Sequence, residues 1–202
     1  MKIIKDITED EMMFIFLKAQ MGSFRFAKEM QQIIEKHGAD RKIIDNPNFR
    51  DQDENKLRKK LLQAFKGSND DGYLFENFPK NVSWKKALFT KEDLMKVKYI
   101  NYDYWNELSS GTRLVLEGAS SIRKGVEIFG QNNQKFWDAL EALKKGVKFP
   151  ETILIAKNPT ADLVVVEGHL RLTTYLLDPN YTPSEIEVIL GFSKNFQDWD
   201  MY

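Results

Sequence analysis

Apolar positions recur at helical spacing in the first half of this chain and in short strand-like runs in the second. Thr8 and Glu11 have the spacing of a capping box, and Met12, Met13, Phe16 and Leu17 follow at helical intervals. A helix is predicted to start there and to break at Gly22-Ser23. A second helix is predicted over 24–36, with His37 at its C-terminal end and Gly38 as its cap. Residues 45–55 are polar and contain Pro47, which reads as a loop. A helix over about 54–66 would turn Leu57, Leu61 and Leu62 inward, and 67–72 is the most loop-like run of the sequence. Phe75, Phe78, Trp84 and Phe89 fall around Pro79, so 73–89 is expected to be an irregular aromatic cover.

The texture changes after Thr90. Thr90 and Asp93 form another helix start, and residues 97–100 alternate like a strand. Helices are predicted over 109–124 and 133–145, closed by Gly125 and Gly146. Strands follow at 152–156 and 163–166, then a helix to Leu177 and a strand at 186–190. The run at 182–185 looks like a helix start in front of a strand, which a single helical turn would reconcile. Leu163-Val164-Val165-Val166 is short and β-branched, and Gly168 behind it supplies a turn. A helix that begins there aims its N–H groups and positive dipole end at the turn, which makes it an anion site, with phosphate the commonest occupant.

Composition narrows the function classes. The chain has 202 residues and equal totals of 30 for Lys plus Arg and for Asp plus Glu, so no global field favours nucleic acid or an anionic membrane. The absence of cysteine removes disulfides, thiolate metal sites and a thiol nucleophile. Asp6, Glu9, Asp10 and Glu11 interrupt the N-terminal apolar patch, so no membrane partner is expected and a cytoplasmic location is.

The order of elements, with Gly146-Val147-Lys148-Phe149-Pro150, Ile153-Leu154-Ile155 and Val165-Val166-Glu167-Gly168-His169-Leu170-Arg171-Leu172, resembles the ParB/sulfiredoxin-like superfamily over residues 97–192. The resemblance implies an α+β fold. Residues 96–202 would form a small mixed-sheet domain of ParB/sulfiredoxin type, with a helical, aromatic-rich region, 1–95, packed on it. In that superfamily the glycine-led turn binds nucleotide phosphates: ATP in sulfiredoxin, ADP in free-serine kinases and CTP in ParB. Gly168, His169 and Arg171 match its G-H-x-R form, which implies a nucleotide (ATP, ADP or CTP) with Mg as ligand. Sulfinic-acid repair needs a cysteine in the turn and is not expected. ParB carries a DNA-binding helical unit after this domain, whereas this chain ends at Tyr202, so a partition protein is not expected either.

Gly168 would allow close approach of the ligand, Leu170 would offer a first-turn N–H, and His169 and Arg171 would donate to phosphate oxygens. Residues two apart diverge on a regular helix, so both grip one anion only if His169 precedes the first full turn. The competing reading packs His169 on a strand and pairs Arg171 with a carboxylate. Glu167 is a candidate Mg²⁺ ligand or general base, and otherwise a strand-end residue without a contact. With His169 and Arg171 it completes the candidate catalytic set. In NYDYWNELSSGTR, residues 101–113, Asp103, Ser109, Thr112 and Arg113 offer polar groups, and Tyr102, Tyr104 and Trp105 offer stacking surfaces. Arg113 is expected to reach the cleft of Arg171.

The favoured function is nucleotide binding with Mg-assisted hydrolysis or phosphoryl transfer. Two readings compete with it. One is a DNA-associated nuclease or nucleotide-gated regulator acting through the basic run Lys56-Leu57-Arg58-Lys59-Lys60, a run more simply read as a solvated face. The other is a non-catalytic module whose N-terminal region recruits a protein partner.

Overall fold

The computed structural model describes residues 1–67 and 74–202. The loop foreseen at 67–72 lies, from Ser68 onward, outside the described residues. The chain divides into two compact units, one of residues 7–78 and the other of 1–6 together with 79–202.

The unit of residues 7–78 is helical. Thr8 accepts from the Glu11 N–H at 3.1 Å and donates its own N–H to the Glu11 carboxylate at 2.7 Å, completing the capping box in front of α1 (Glu9–Met21). Two orphan donors are thereby satisfied, and Met12, Met13, Phe16 and Leu17 are buried. Ser23 to Phe26 form a turn, so α2 (Ala27–Lys36) begins three residues later than its periodicity suggests. A short α3 (Lys42–Asp45), unforeseen, precedes α4 (Gln52–Gly67). Helix α1 packs on α2 and α4, with Phe16 edge-on to Phe65.

The second unit is built on a six-stranded mixed sheet, so the fold class is α+β. Strand β1 (Lys2–Ile7) lies at one edge, and the chain then makes the helical unit before returning as its neighbour β2 (Ser83–Phe89). The helical unit is thus an insertion between two adjacent strands. Next come α5 (Lys91–Leu94), held by the Thr90/Asp93 capping box, and β3 (Val97–Lys98). After them follow α6 (Asp103–Leu108), α7 (Val115–Arg123), α8 (Gln134–Lys144), β4 (Thr152–Ala156), β5 (Leu163–Glu167), α9 (His169–Leu177) and β6 (Ile186–Phe192). The strand order is β1-β2-β6-β4-β5-β3. β4 runs parallel to β6 and antiparallel to β5, and β3 runs parallel to β5.

One apolar core joins Phe89, Leu154, Val165, Val188 and Leu190 of the sheet to Val115, Ala119 and Ile122 of α7, Phe136 and Leu140 of α8, and Leu172 and Leu176 of α9. The helical residues recur at three- and four-residue spacing, the stripe a helix needs to bury one face.

Several expectations are corrected. Residues 83–89 are not an irregular cover but a strand, paired antiparallel with β6 from Ser83↔Phe192 to Phe89↔Ile186. Lys85-Lys86 hides its alternation. Lys86 lies between Glu151 at 3.2 Å and Glu187 at 2.8 Å. Partial burial opposes its charge, and the two carboxylates outweigh that and hold its pKa above the ordinary value. The region 1–95 therefore contributes two strands as well as helices. The helix expected from Ser109 starts at Val115, because Ser110, Gly111 and Arg113 take positive φ. No helical turn forms at 182–185, where the Thr182 hydroxyl instead donates to the Tyr175 carbonyl.

Candidate functional site

Gly168 closes β5 and caps α9 with φ 101° and ψ 22°, a left-handed conformation that glycine adopts without steric cost. A Cβ placed there would lie 2.4 Å from Thr152 Cγ2 and 3.0 Å from Arg171 Nη2. The backbone, the first residue of β4 and the Arg171 guanidinium thus converge on one point. The first hydrogen bond of the helix runs from the Leu172 N–H to the Gly168 carbonyl at 3.0 Å. The N–H groups of Leu170 and Arg171 stand ahead of that series and make no hydrogen bond among the described residues. The other end of α9 is closed. Arg123 donates to the Leu176 carbonyl at 2.6 Å, and Thr182 to that of Tyr175. The helix therefore presents an unsatisfied positive end at the turn and a satisfied negative end away from it.

His169 and Arg171 part company. The His169 ring is nearly parallel to Trp105, with centroids 5.0 Å apart, and Trp105 in turn stacks on Tyr99 at 4.5 Å. Arg171 donates instead to the Glu151 carbonyl at 3.0 Å and to the Glu167 carboxylate one helical turn away. The two side chains work with different elements, and a clamp closing both on one anion is not what this arrangement shows. Glu167, foreseen as a metal ligand or base, is ion-paired to Arg171 with both side chains largely buried. Beside this pair, Arg171 Nε and Thr152 Oγ1 are buried and make no hydrogen bond among the described residues. Among the described residues no group of three or more Asp, Glu or His could hold a metal by itself.

A buried relay fixes the first turn. Thr173 donates to the His169 carbonyl at 2.7 Å, which uses its only proton, so the Tyr99 phenol 2.7 Å away must be the donor to Thr173 Oγ1. Burial pushes the Tyr99 pKa well above its ordinary value, which keeps it a donor. Gly118 of α7 makes room for this ring, since a Cβ there would fall 2.4 Å from the Tyr99 hydroxyl.

Arg113 goes elsewhere. It donates to the carbonyl of Tyr99 from Nε at 3.0 Å and from Nη2 at 2.8 Å, and to the backbone oxygens of Tyr202 at 2.7 Å and Met201 at 3.2 Å. It ties 201–202 to the end of β3, and its donors are spent on backbone rather than on the turn. Thr112 is likewise occupied, donating to the Ser109 carbonyl at 2.8 Å and accepting from the Leu114 N–H. Tyr104 is buried in the core, and Trp105 packs against it.

In the helical unit, the basic run at 56–60 is not one solvated face. Arg58 is fully buried, donating to the Ile43 carbonyl at 2.9 Å, pairing with Glu54 at 3.2 Å and facing the Phe49 ring. A shallow depression of about 250 Å³ touches Lys56, Lys59 and Asp10 there. Another of about 410 Å³ lies between Glu127, Asn133 and Trp137 in the sheet unit. Neither includes a residue of the Gly168 turn.

Thr152 and the Glu151 carbonyl are the contributors that sequence reasoning missed. Nothing local marks them, because only the pairing of Ile153 with Glu167 brings the start of β4 to the turn. No protein-family model, no curated protein and no solved structure matches this chain. No helix among the described residues is long and apolar enough to cross a membrane.

Proposed function

We propose that the Gly168 turn binds the phosphates of a Mg²⁺-nucleotide such as ATP, ADP or CTP, and that the chain is a cytoplasmic nucleotide-binding protein of ParB/sulfiredoxin type. The observation that carries this reading is the convergence on Gly168 of the unbonded Leu170 and Arg171 N–H groups with the Arg171 guanidinium. Backbone N–H groups at a helix start, a left-handed glycine and an arginine are the elements of a phosphate cradle.

The Glu167–Arg171 pair adds a condition. A bare phosphate at the turn would face the Glu167 carboxylate, whose repulsion offsets the attraction of Arg171. A ligand bringing its own divalent cation removes the conflict, with the carboxylate turning to the cation and the guanidinium to the phosphate. The cation would supply charge neutralisation of the phosphates. His169, stacked on Trp105, fixes the orientation of the first turn. If turnover occurs, it draws on the same donors, because phosphoryl transfer asks for positioning and electrostatics.

A thermal-shift panel of ATP, ADP, CTP, GTP and inorganic phosphate, each with and without Mg²⁺, tests the reading. A hundredfold excess of ligand over Kd stabilises the native state by about 2.7 kcal/mol, so a rise of several degrees is expected with at least one Mg²⁺-nucleotide. The rise should vanish in Arg171→Gln and in the charge-neutral double variant Glu167→Gln, Arg171→Gln. Flat melting curves at millimolar nucleotide across the panel would contradict it.

A further inference from the structure

We infer that β1 is a pairing edge for a second copy of this chain, joined antiparallel so that two sheets become one. β1 ends the strand order, with β2 on one side and, among the described residues, no strand on the other. Lys2 to Asp6 are all exposed, including Ile3 at 43% and Ile4 at 47%. Such an edge offers a row of N–H and C=O groups to any strand that fits.

The sequence of β1, KIIKDI, selects its own copy. Residues directly opposite one another in an antiparallel pair lie on the same face and interact, and opposite charges there stabilise while like charges oppose. Three antiparallel registers overlap five or more residues of β1 with itself. Pairing Lys2 with Ile7 sets every charge opposite an isoleucine. Pairing Ile3 with Ile7 sets Lys5 against Lys5. Pairing Lys2 with Asp6 brings Ile4 against Ile4 on the two-fold axis, flanked by two Lys2–Asp6 pairs, with each Ile3 under the stem of the opposite Lys5. Of these three registers only this one is charge-complementary, and it is closed by symmetry, which gives a dimer rather than a fibre. The charges that guard the edge against foreign strands thereby specify one partner.

The test uses the full chain and its two reversed forms. Sedimentation equilibrium from micromolar to submillimolar concentration should show a monomer–dimer equilibrium. Lys2→Glu and Asp6→Lys should each weaken the dimer by about tenfold or more, because either change sets two like-charge pairs across the axis. An equimolar mixture of the two variants should recover it, since position 2 of one then meets position 6 of the other with opposite charge at both ends. A second readout needs no variant: hydrogen exchange of alternate amides within 2–6 in the unaltered chain should slow as concentration rises. A monomer at every concentration would overturn the proposal, as would a dimer indifferent to both reversals or a mixture that stays as weak as its components.

Discussion

Gly168 is held by two requirements at once, a positive φ and a neighbour too close for a side chain. Gly168→Ala must adopt a strained backbone and also displace Thr152, whose Cγ2 would lie 2.4 Å from the new methyl. A cost of about 2 kcal/mol is expected from such strain, read as a fall in the urea midpoint. Thr152→Ala in that background should return part of it, since the truncation removes the nearest contact while φ stays unchanged. No recovery would mean that the backbone alone requires the glycine. Residues such as these were only half legible. Gly168, His169 and Arg171 stand out in sequence because they sit together after a β-branched run. The choice Arg171 makes of Glu167 and Glu151 over a shared grip with His169 depends on the strand brought alongside. Arg58 and Arg113 look like surface or site cations, but Arg58 is buried against the Ile43 carbonyl beside its pair Glu54, and Arg113 donates to backbone oxygens that only the folded chain supplies.

Legibility at the scale of elements follows how local the determinants are. The capping boxes of α1 and α5 and the β-branched runs of β4 and β5 were readable, because a few adjacent residues decide them. Strand β2 was not, since its lysine pair breaks the alternation and its strand character comes from pairing with β6. Strand β1 was hidden by the charges that suit an edge, Lys2, Lys5 and Asp6, which break its apolar run. Helix α7 carries a local rule overridden by packing. An interior glycine in a helix is normally about 1 kcal/mol worse than alanine, so Gly118→Ala should stabilise if propensity decides. Tyr99 reverses the sign, because the added methyl would lie 2.4 Å from its hydroxyl and 2.7 Å from its ring. Overpacking of this kind costs about 1–3 kcal/mol. A lowered urea midpoint is expected, with altered near-ultraviolet dichroism from the displaced Tyr99–Trp105 stack. A more stable variant would show that the ring has room to move.

Across the whole molecule, the helical unit is an insertion in a sheet whose core is shared among β2, β4, β5, β6, α7, α8 and α9. Among the phenols that core encloses are those of Tyr175 and Tyr99. Burial pushes Tyr175 up to about 12 and raises Tyr99 as well. The unfolded chain therefore loses these protons at lower pH than the folded one does. Between the ordinary value of 10.0 and the raised one, the native state binds more protons, so stability is intact below pH 10.0 and falls as pH rises above it. Urea midpoints should decline over that window, and Tyr175→Phe should flatten the decline. A midpoint independent of pH there would contradict the burial of both rings.

The phosphate turn itself is tested most directly by calorimetric titration of one nucleotide into the unaltered chain and into Glu167→Gln, each with Mg²⁺ and with the metal chelated. The unaltered chain should bind only with Mg²⁺, because Glu167 repels a bare phosphate. Glu167→Gln should bind with the metal chelated as well, since Arg171 is released and the repulsion is gone. Binding by neither protein under either condition would contradict the account, and so would binding by both that is indifferent to the metal.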